Sequence, residues 1–278
     1  MEQPAPLQTW DVTETQNFKT GVQKALALIQ HQQLNKIVLA HAIEATAPKA
    51  FQVMESLNNL RQLHPDCYVF SVSNGQGQTF IGASPERLLG IRDRELSTDA
   101  LAGSAPRGNT TSQDAQLAQA LLNSPKEQHE HQVVIDFVSQ SLSRLGLMPR
   151  YAPQPGLLQL ANIQHLWTPV QATLSNGIHP LQILAALHPT PAVAGVPRDL
   201  ACEQIRRCET FERALYAAPL GWIDHQENSE FIVGIRSALI EGRRARLYAG
   251  AGIVAGSDPE RELAEIRLKL QALLAALV

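Results

Sequence analysis

Cysteine is scarce, with Cys67, Cys202 and Cys208 the only three in 278 residues. Their odd number and uneven spacing fit neither a zinc module nor a disulfide framework, and they read as free thiols in a reducing cytoplasm. Long apolar runs are missing: no stretch approaches the ~20 residues of a membrane helix. Met1 to Trp10 has no basic n-region and no apolar h-region, so no secretion signal is read. Neither sign of charge dominates. The net charge is −3, with acids and bases mixed along the chain, which offers no basic face to nucleic acid or to a membrane surface. An anionic ligand is then compatible only where positive charge gathers at a site. Repeats, low-complexity tracts and linkers are absent as well, and a chain of this length reads as one domain, 1–278.

What is present is an ordinary hydrophobic fraction of 44%, arranged in recognisable periods. Helices are expected at 14–31, 49–62, 112–122, 126–145 and 199–215, with a last one from Pro259 onward. Asp258 is a natural N-cap for that helix, and Pro259 suits its first position. Strands are expected at 36–40, 67–74, 78–83, 88–91, 95–98, 162–175, 218–225, 229–240 and 244–254. Asn74-Gly75-Gln76-Gly77 and Glu241-Gly242 read as hairpin turns. Residues 101–110 and the Pro-rich 188–197 read as loops. Strands mostly follow strands, which favours an α+β fold with antiparallel sheet over a βαβ array.

Several residues stand out chemically. In helix 126–145 the apolar stripe is Val134, Phe137, Val138, Ser141 and Leu145. Carried back at 100° per residue, it reaches Glu130 and Glu127. A carboxylate on a buried face needs a partner, a hydrogen bond or a metal; otherwise the first turn has left the core and both acids sit in solvent at the helix N-terminus. On the last helix, Glu262, Glu265 and Lys269 cluster on neighbouring turns along one edge of a leucine-rich stripe, either as a surface pair or as half of a hard-cation site. In Tyr248-Ala249-Gly250-Ala251-Gly252 a strand is expected to end in a glycine turn that could cradle an anion, or to bend. Lys36 heads an apolar strand, as an exposed end or as a buried base. Glu86, His165 and Arg236 lie in similarly apolar surroundings, and Arg236 could bind a carboxylate or pair with a structural acid.

Together these pieces resemble the chorismate-utilising enzymes of menaquinone, siderophore and tryptophan biosynthesis, from about Trp10 to the C-terminus. The motifs carrying the resemblance are Lys36-Ile37-Val38-Leu39-Ala40, Gly82-Ala83-Ser84-Pro85-Glu86, Leu101-Ala102-Gly103-Ser104 with Arg107, Lys126-Glu127 through Glu130-His131, Gln164-His165-Leu166, Tyr248 through Ile253, and Glu262 with Glu265 and Lys269. The resemblance implies large, mainly antiparallel sheets packed face to face, with helices outside. It implies Mg²⁺ held by Glu130 and Glu265, with Glu127 and Glu262 behind them through water. Gly103, Ser104, Gly250 and Lys269 would orient the ring carboxylate of chorismate. Arg236 and Tyr216 would hold its enolpyruvyl carboxylate, and His165 would line the site. Lys36 would be the base that activates water at C2, and Glu86 the acid at the departing C4 hydroxyl.

Within the family, Ala192 falls where ammonia-using members generally carry threonine. His188-Pro189-Thr190-Pro191-Ala192 and Lys36 resemble the isochorismate synthases. Salicylate synthase, anthranilate synthase component I and a truncated binding module without turnover stand as alternatives. A cytoplasmic protein is expected from the cysteines, a monomer from the lack of a strong apolar interface stripe, and no glutaminase subunit from Lys36 and Ala192. The resemblance also implies a further N-terminal region not seen in this sequence, which would make it either a fragment or a compact version.

Overall fold

The computed structural model describes residues 12–175 and 177–277. The segment Met1–Trp10, read above for a secretion signal, lies outside them. Helix α1 (Val12–Gln30) leads into β1 (Lys36–Thr46), α2 (Val53–Leu63), the hairpin β2 (Tyr68–Ser73) and β3 (Gln78–Ser84), and a second hairpin β4 (Arg87–Arg92) and β5 (Glu95–Pro106). Then come α3 (Thr111–Leu122), α4 (Pro125–Arg144), β6 (Gly156–Gln159), β7 (Ile163–Thr173), α5 (Pro180–Leu187), the two-residue β8 (Gly195–Val196) and α6 (Arg198–Cys208). The remainder is β9 (Pro219–Ile223), β10 (Ser229–Val233), β11 (Ser237–Glu241), β12 (Arg244–Ile253) and α7 (Pro259–Leu274).

The strands form two six-stranded sheets, ordered β2-β3-β11-β12-β1-β8 and β6-β7-β5-β4-β10-β9. Neighbours within them pair antiparallel, so the α+β fold with antiparallel sheets is observed. The period-2 alternation of a strand divides each face cleanly. On β1, Ile37 and Leu39 join a core made with Val22 of α1, Ile205 of α6, and Leu263, Ile266 and Leu270 of α7. Each such side chain contributes about 1.5–3 kcal/mol on burial. Ala40 and Ala42 face the other way, into a second core shared with Leu89, Phe231, Val134 of α4 and Ile183 of α5. Lys36 has the parity of Ala40 and so faces this second side. On β12 the same alternation sends Leu247, Ala249, Ala251 and Ile253 to the helix side and leaves Tyr248, Gly250 and Gly252 on the other.

Local signals account for the helix starts. Asp258 caps α7 by accepting from the Glu260 and Arg261 N–H groups, with Pro259 at its first position. Ser124 caps α4 in the same way. Asp93 and Arg94, both at positive φ, close the β4–β5 hairpin.

Four expectations are corrected. Residues 101–110 are not a loop throughout, because β5 continues to Pro106. Gly103, at φ +76°, is a bulge that shifts the β5–β7 register between Ala102 and Ser104. Helix 199–215 stops at Cys208. The i, i+4 pair Glu209 and Arg213 looks helical in sequence but turns inward to bond β1. The strand 229–240 is two strands in different sheets, broken at Gly234-Ile235-Arg236, where Arg236 has φ +51°. The Gly250–Gly252 segment is not a turn but lies in continuous register with β1, Ala40 opposite Gly250 and Val38 opposite Gly252.

Candidate active site

A cavity of about 70 Å³ opens between the two sheets and the middle of α7. Eleven of the residues singled out in the sequence line it. Glu86 comes from the end of the β3–β4 turn, Gly103 and Ser104 from the β5 bulge, and Glu130 from α4. His165 lies on β7, Ala192 in the 188–197 loop, and Tyr216 in the loop after α6. Arg236 stands at the crossing from β10 to β11, Gly250 on β12, and Glu265 and Lys269 on α7. Glu127 and Glu262 do not reach it; they line an outer cavity of about 570 Å³ that shares Ser104 and Glu265 with the inner one. Lys36 lies just behind the wall, fully buried, with Nζ 3.0 Å from Glu130 Oε1.

The α4 stripe therefore continues into the protein: Glu130 is 7% exposed. Room for its carboxylate comes from Gly252, where an added Cβ would sit 2.0 Å from Glu130 Oε1 and 3.0 Å from Lys36 Cε. Gly250 similarly admits Tyr216, whose hydroxyl would lie 2.8 Å from a Cβ there. These glycines serve close side-chain approach rather than an anion-binding turn.

Each of the four glutamates lies close to a lysine nitrogen. Glu265 Oε1 accepts from Lys269 Nζ at 2.6 Å, and the same nitrogen donates to Gly250 O at 2.7 Å. Lys126 Nζ lies 3.0 Å from Glu127 Oε1 and donates to Glu262 Oε1 at 2.8 Å. The Ser104 N–H donates to Glu127 Oε2 at 3.0 Å, which is what the Gly103 bulge achieves. Burial and then the charge of Glu265 push Glu262 up, against the pull of Lys126. Burial also opposes ionisation of Glu265, but Lys269 outweighs it and holds that carboxyl low. Among the described residues no three His, Cys, Asp or Glu groups already converge on one point. The donor set is nonetheless four carboxylates with positive charge drawn among them. All-oxygen donors of this kind suit a hard divalent ion such as Mg²⁺.

Glu86 is 3% exposed. Burial first, then the charge of Asp99, push its carboxyl up to about 8, against Lys36 and Lys269. It is a neutral acid at pH 7, able to donate. His165 Nε2 faces the Arg236 guanidinium at 2.9 Å, while Nδ1 lies 3.0 Å from Ser104 Oγ and 3.3 Å from Gly103 O. A guanidinium only donates, so Nε2 accepts and Nδ1 carries the proton. Burial, then Arg236 and Lys269, hold His165 well below its ordinary value, keeping it neutral. Burial likewise raises the Tyr216 phenol to about 12. Arg236 forms no ion pair with a carboxylate among the described residues; its one side-chain partner there is a neutral imidazole. A guanidinium so placed leaves donors for an anion.

Three supporting groups went unassigned in the sequence. Asp99, which faces Glu86 electrostatically, accepts from Arg87 Nη2 at 3.3 Å and Trp167 Nε1 at 3.1 Å. Arg213 bonds Glu209, Val193 O at 2.7 Å and Val38 O at 2.9 Å, while Glu209 accepts from Ala40 N–H at 2.8 Å. Together they replace a missing neighbour strand along β1 and tie it to the loop carrying Ala192. Lys126 stands in a quoted motif, yet only the meeting of α4 with α7 reveals its partners.

Comparison with known proteins identifies the family. The family described as "Chorismate binding enzyme" matches residues 1–278. The "Salicylate biosynthesis isochorismate synthase" of Pseudomonas aeruginosa is 41% identical over 264 residues, 95% of this chain, and the chain spans 55% of that relative's length. The crystal structure of the putative 2,3-dihydroxybenzoate-specific isochorismate synthase DhbC from Bacillus anthracis superposes with a TM-score of 0.91 at 35% identity. That match covers 98% of this chain and 76% of the other. Anthranilate synthase component I from Streptococcus pneumoniae superposes at 0.83 with 25% identity, over 97% of this chain and 60% of the other. Fold, cavity and sequence converge: the chain belongs to the chorismate-binding enzymes.

Proposed function

We propose that the chain carries the catalytic part of a Mg²⁺-dependent isochorismate synthase, supplying isochorismate to quinone or siderophore synthesis. The observation that carries this reading is the Arg236 guanidinium, without a carboxylate partner among the described residues, lining one small cavity together with Glu86, Glu130 and Glu265. Chorismate is a dianion, and a chain of net charge −3 can hold it only where positive charge is concentrated. Arg236 and Tyr216 take the enolpyruvyl carboxylate. Lys269 and the amides near Gly103, Ser104 and Gly250 orient the ring carboxylate. Glu130 and Glu265 would hold Mg²⁺, with Glu127 and Glu262 behind them, and the ion would supply positive charge against that ring carboxylate.

Lys36, acting as the free amine, accepts a proton from the water that attacks C2, and Glu86 gives its proton to the C4 hydroxyl as it leaves, while both ring double bonds shift, C1=C2 to C1=C6 and C5=C6 to C4=C5. Base and acid thus act at the two ends of the shift, and the neutral Glu86 suits its part. Ala192, small and apolar, offers no hydroxyl to position ammonia, which separates this reading from anthranilate synthase. The chain works without a glutaminase subunit and as a monomer.

The test is product analysis. The protein is incubated with chorismate, with and without Mg²⁺, and isochorismate, salicylate and anthranilate are separated. Isochorismate formed only with Mg²⁺ is expected; salicylate with pyruvate, or anthranilate with ammonia, overturns the reading. Lys36→Ala is expected to abolish turnover while Mg²⁺-dependent chorismate binding survives.

A further inference from the structure

The N-terminal turns of α4 and α7 are bridged by one lysine. Lys126 Nζ sits 3.0 Å from Glu127 Oε1 and 2.8 Å from Glu262 Oε1. The other Glu127 oxygen is already engaged by the Ser104 N–H. These are the two carboxylates that the proposed function places behind the metal ligands, where they would accept hydrogen bonds from the ion's water. Ammonium and metal-bound water both donate, so they compete for the same oxygen lone pairs.

The three site lysines differ in their freedom to leave. Lys36 is fully buried. Lys269 is 13% exposed at its side chain and tied to Gly250 O. Lys126 is 26% exposed at its side chain and borders the roomy outer cavity. Its flexible stem can swing outward without unpacking a core. Without any cation between them, Glu127, Glu130, Glu262 and Glu265 would repel one another across two helix ends.

We propose that Lys126 is an internal competitor for the divalent cation: its ammonium clamps Glu127 to Glu262 in the metal-free protein and withdraws into the outer cavity when a hydrated Mg²⁺ is taken up. The inference rests on the Mg²⁺ reading above. It makes Lys126 a positioning residue that keeps the empty site assembled at the expense of affinity.

Two measurements on the full chain test it. Mn²⁺ binding is followed by electron paramagnetic resonance for the unaltered protein, Lys126→Met and Arg261→Met. Arg261 is exposed on the same cavity, so its removal reports the general field alone. Lys126→Met is expected to bind Mn²⁺ about fivefold more tightly, the scale of losing one partly exposed charge pair, with a clearly smaller gain for Arg261→Met. Amine labelling of the unaltered protein, read by mass spectrometry, is expected to rise severalfold at Lys126 on adding Mg²⁺ and to stay level at exposed Lys49. Unchanged or weaker binding in Lys126→Met, an equal gain in Arg261→Met, or labelling of Lys126 indifferent to Mg²⁺ overturns this inference alone. No Mn²⁺ bound by any of the three proteins overturns the metal reading and this inference with it.

Discussion

Replacing Glu86 by glutamine isolates the energetic consequence of keeping a carboxyl neutral inside this cavity. Burial and Asp99 move the Glu86 carboxyl from an ordinary 4.5 to about 8. Because the folded chain holds the proton more tightly, the contribution of this group to stability is complete below 4.5 and is lost as pH rises through about 8. At ~1.4 kcal/mol per pH unit the interval corresponds to about 5 kcal/mol as an upper bound. Relaxation and water entering the site reduce this to about 2–4 kcal/mol. Glutamine keeps the shape and removes the titration. Urea denaturation near pH 5 and near pH 9 is the assay. The variant is expected to gain about 2–4 kcal/mol on the parent over that range. A stability difference that stays flat would refute the reasoning, since the carboxyl would then titrate alike in the folded and unfolded chains.

Gly252→Ala places a Cβ 2.0 Å from Glu130 Oε1. Turnover should fall by about 100-fold or more through misplacement of that carboxylate, and normal kinetics would show that Gly252 is not needed for the approach. Glu265→Gln should raise the Mg²⁺ concentration for half-maximal activity by about tenfold or more; an unchanged Mg²⁺ titration removes it as a ligand. Arg213→Met leaves Glu209 buried without its ion-pair partner and frees Val38 O and Val193 O. About 3–5 kcal/mol of stability should be lost in denaturant unfolding, and a loss below about 1 kcal/mol would mean that water replaces the guanidinium.

Local patterns carried much of this structure. The apolar run headed by Lys36, the Asp258 cap and the α4 stripe running back to Glu130 are short-range signals, found as a buried strand, a helix N-cap and a buried carboxylate. Periodicity failed where distant elements decide. Apolar residues continue evenly through Val233, Gly234 and Ile235, and nothing local announces that the chain leaves one sheet for the other there. Glu209 and Arg213 have helical spacing, but their bonds are made to β1 and to Val193. Gly250 and Gly252 read as turn residues because the carboxylate and phenol they admit come from α4 and the loop after α6. Lys126 could be quoted from its motif, yet its bridge exists only once α7 lies beside α4.

The strand order has a consequence for synthesis. β1 pairs along its length with β12, Ile37 opposite Ile253 and Thr46 opposite Arg244, while β4 waits for β10. A ribosome releasing this chain from its N-terminus exposes Lys36 and Glu86 long before either sheet can close, and Glu265 and Lys269 emerge later still. Such long-range pairing is slow and leaves open edges on partly made chains. The cavity is therefore among the last features to form, and nascent chains lacking β12 and α7 should be prime clients for chaperones.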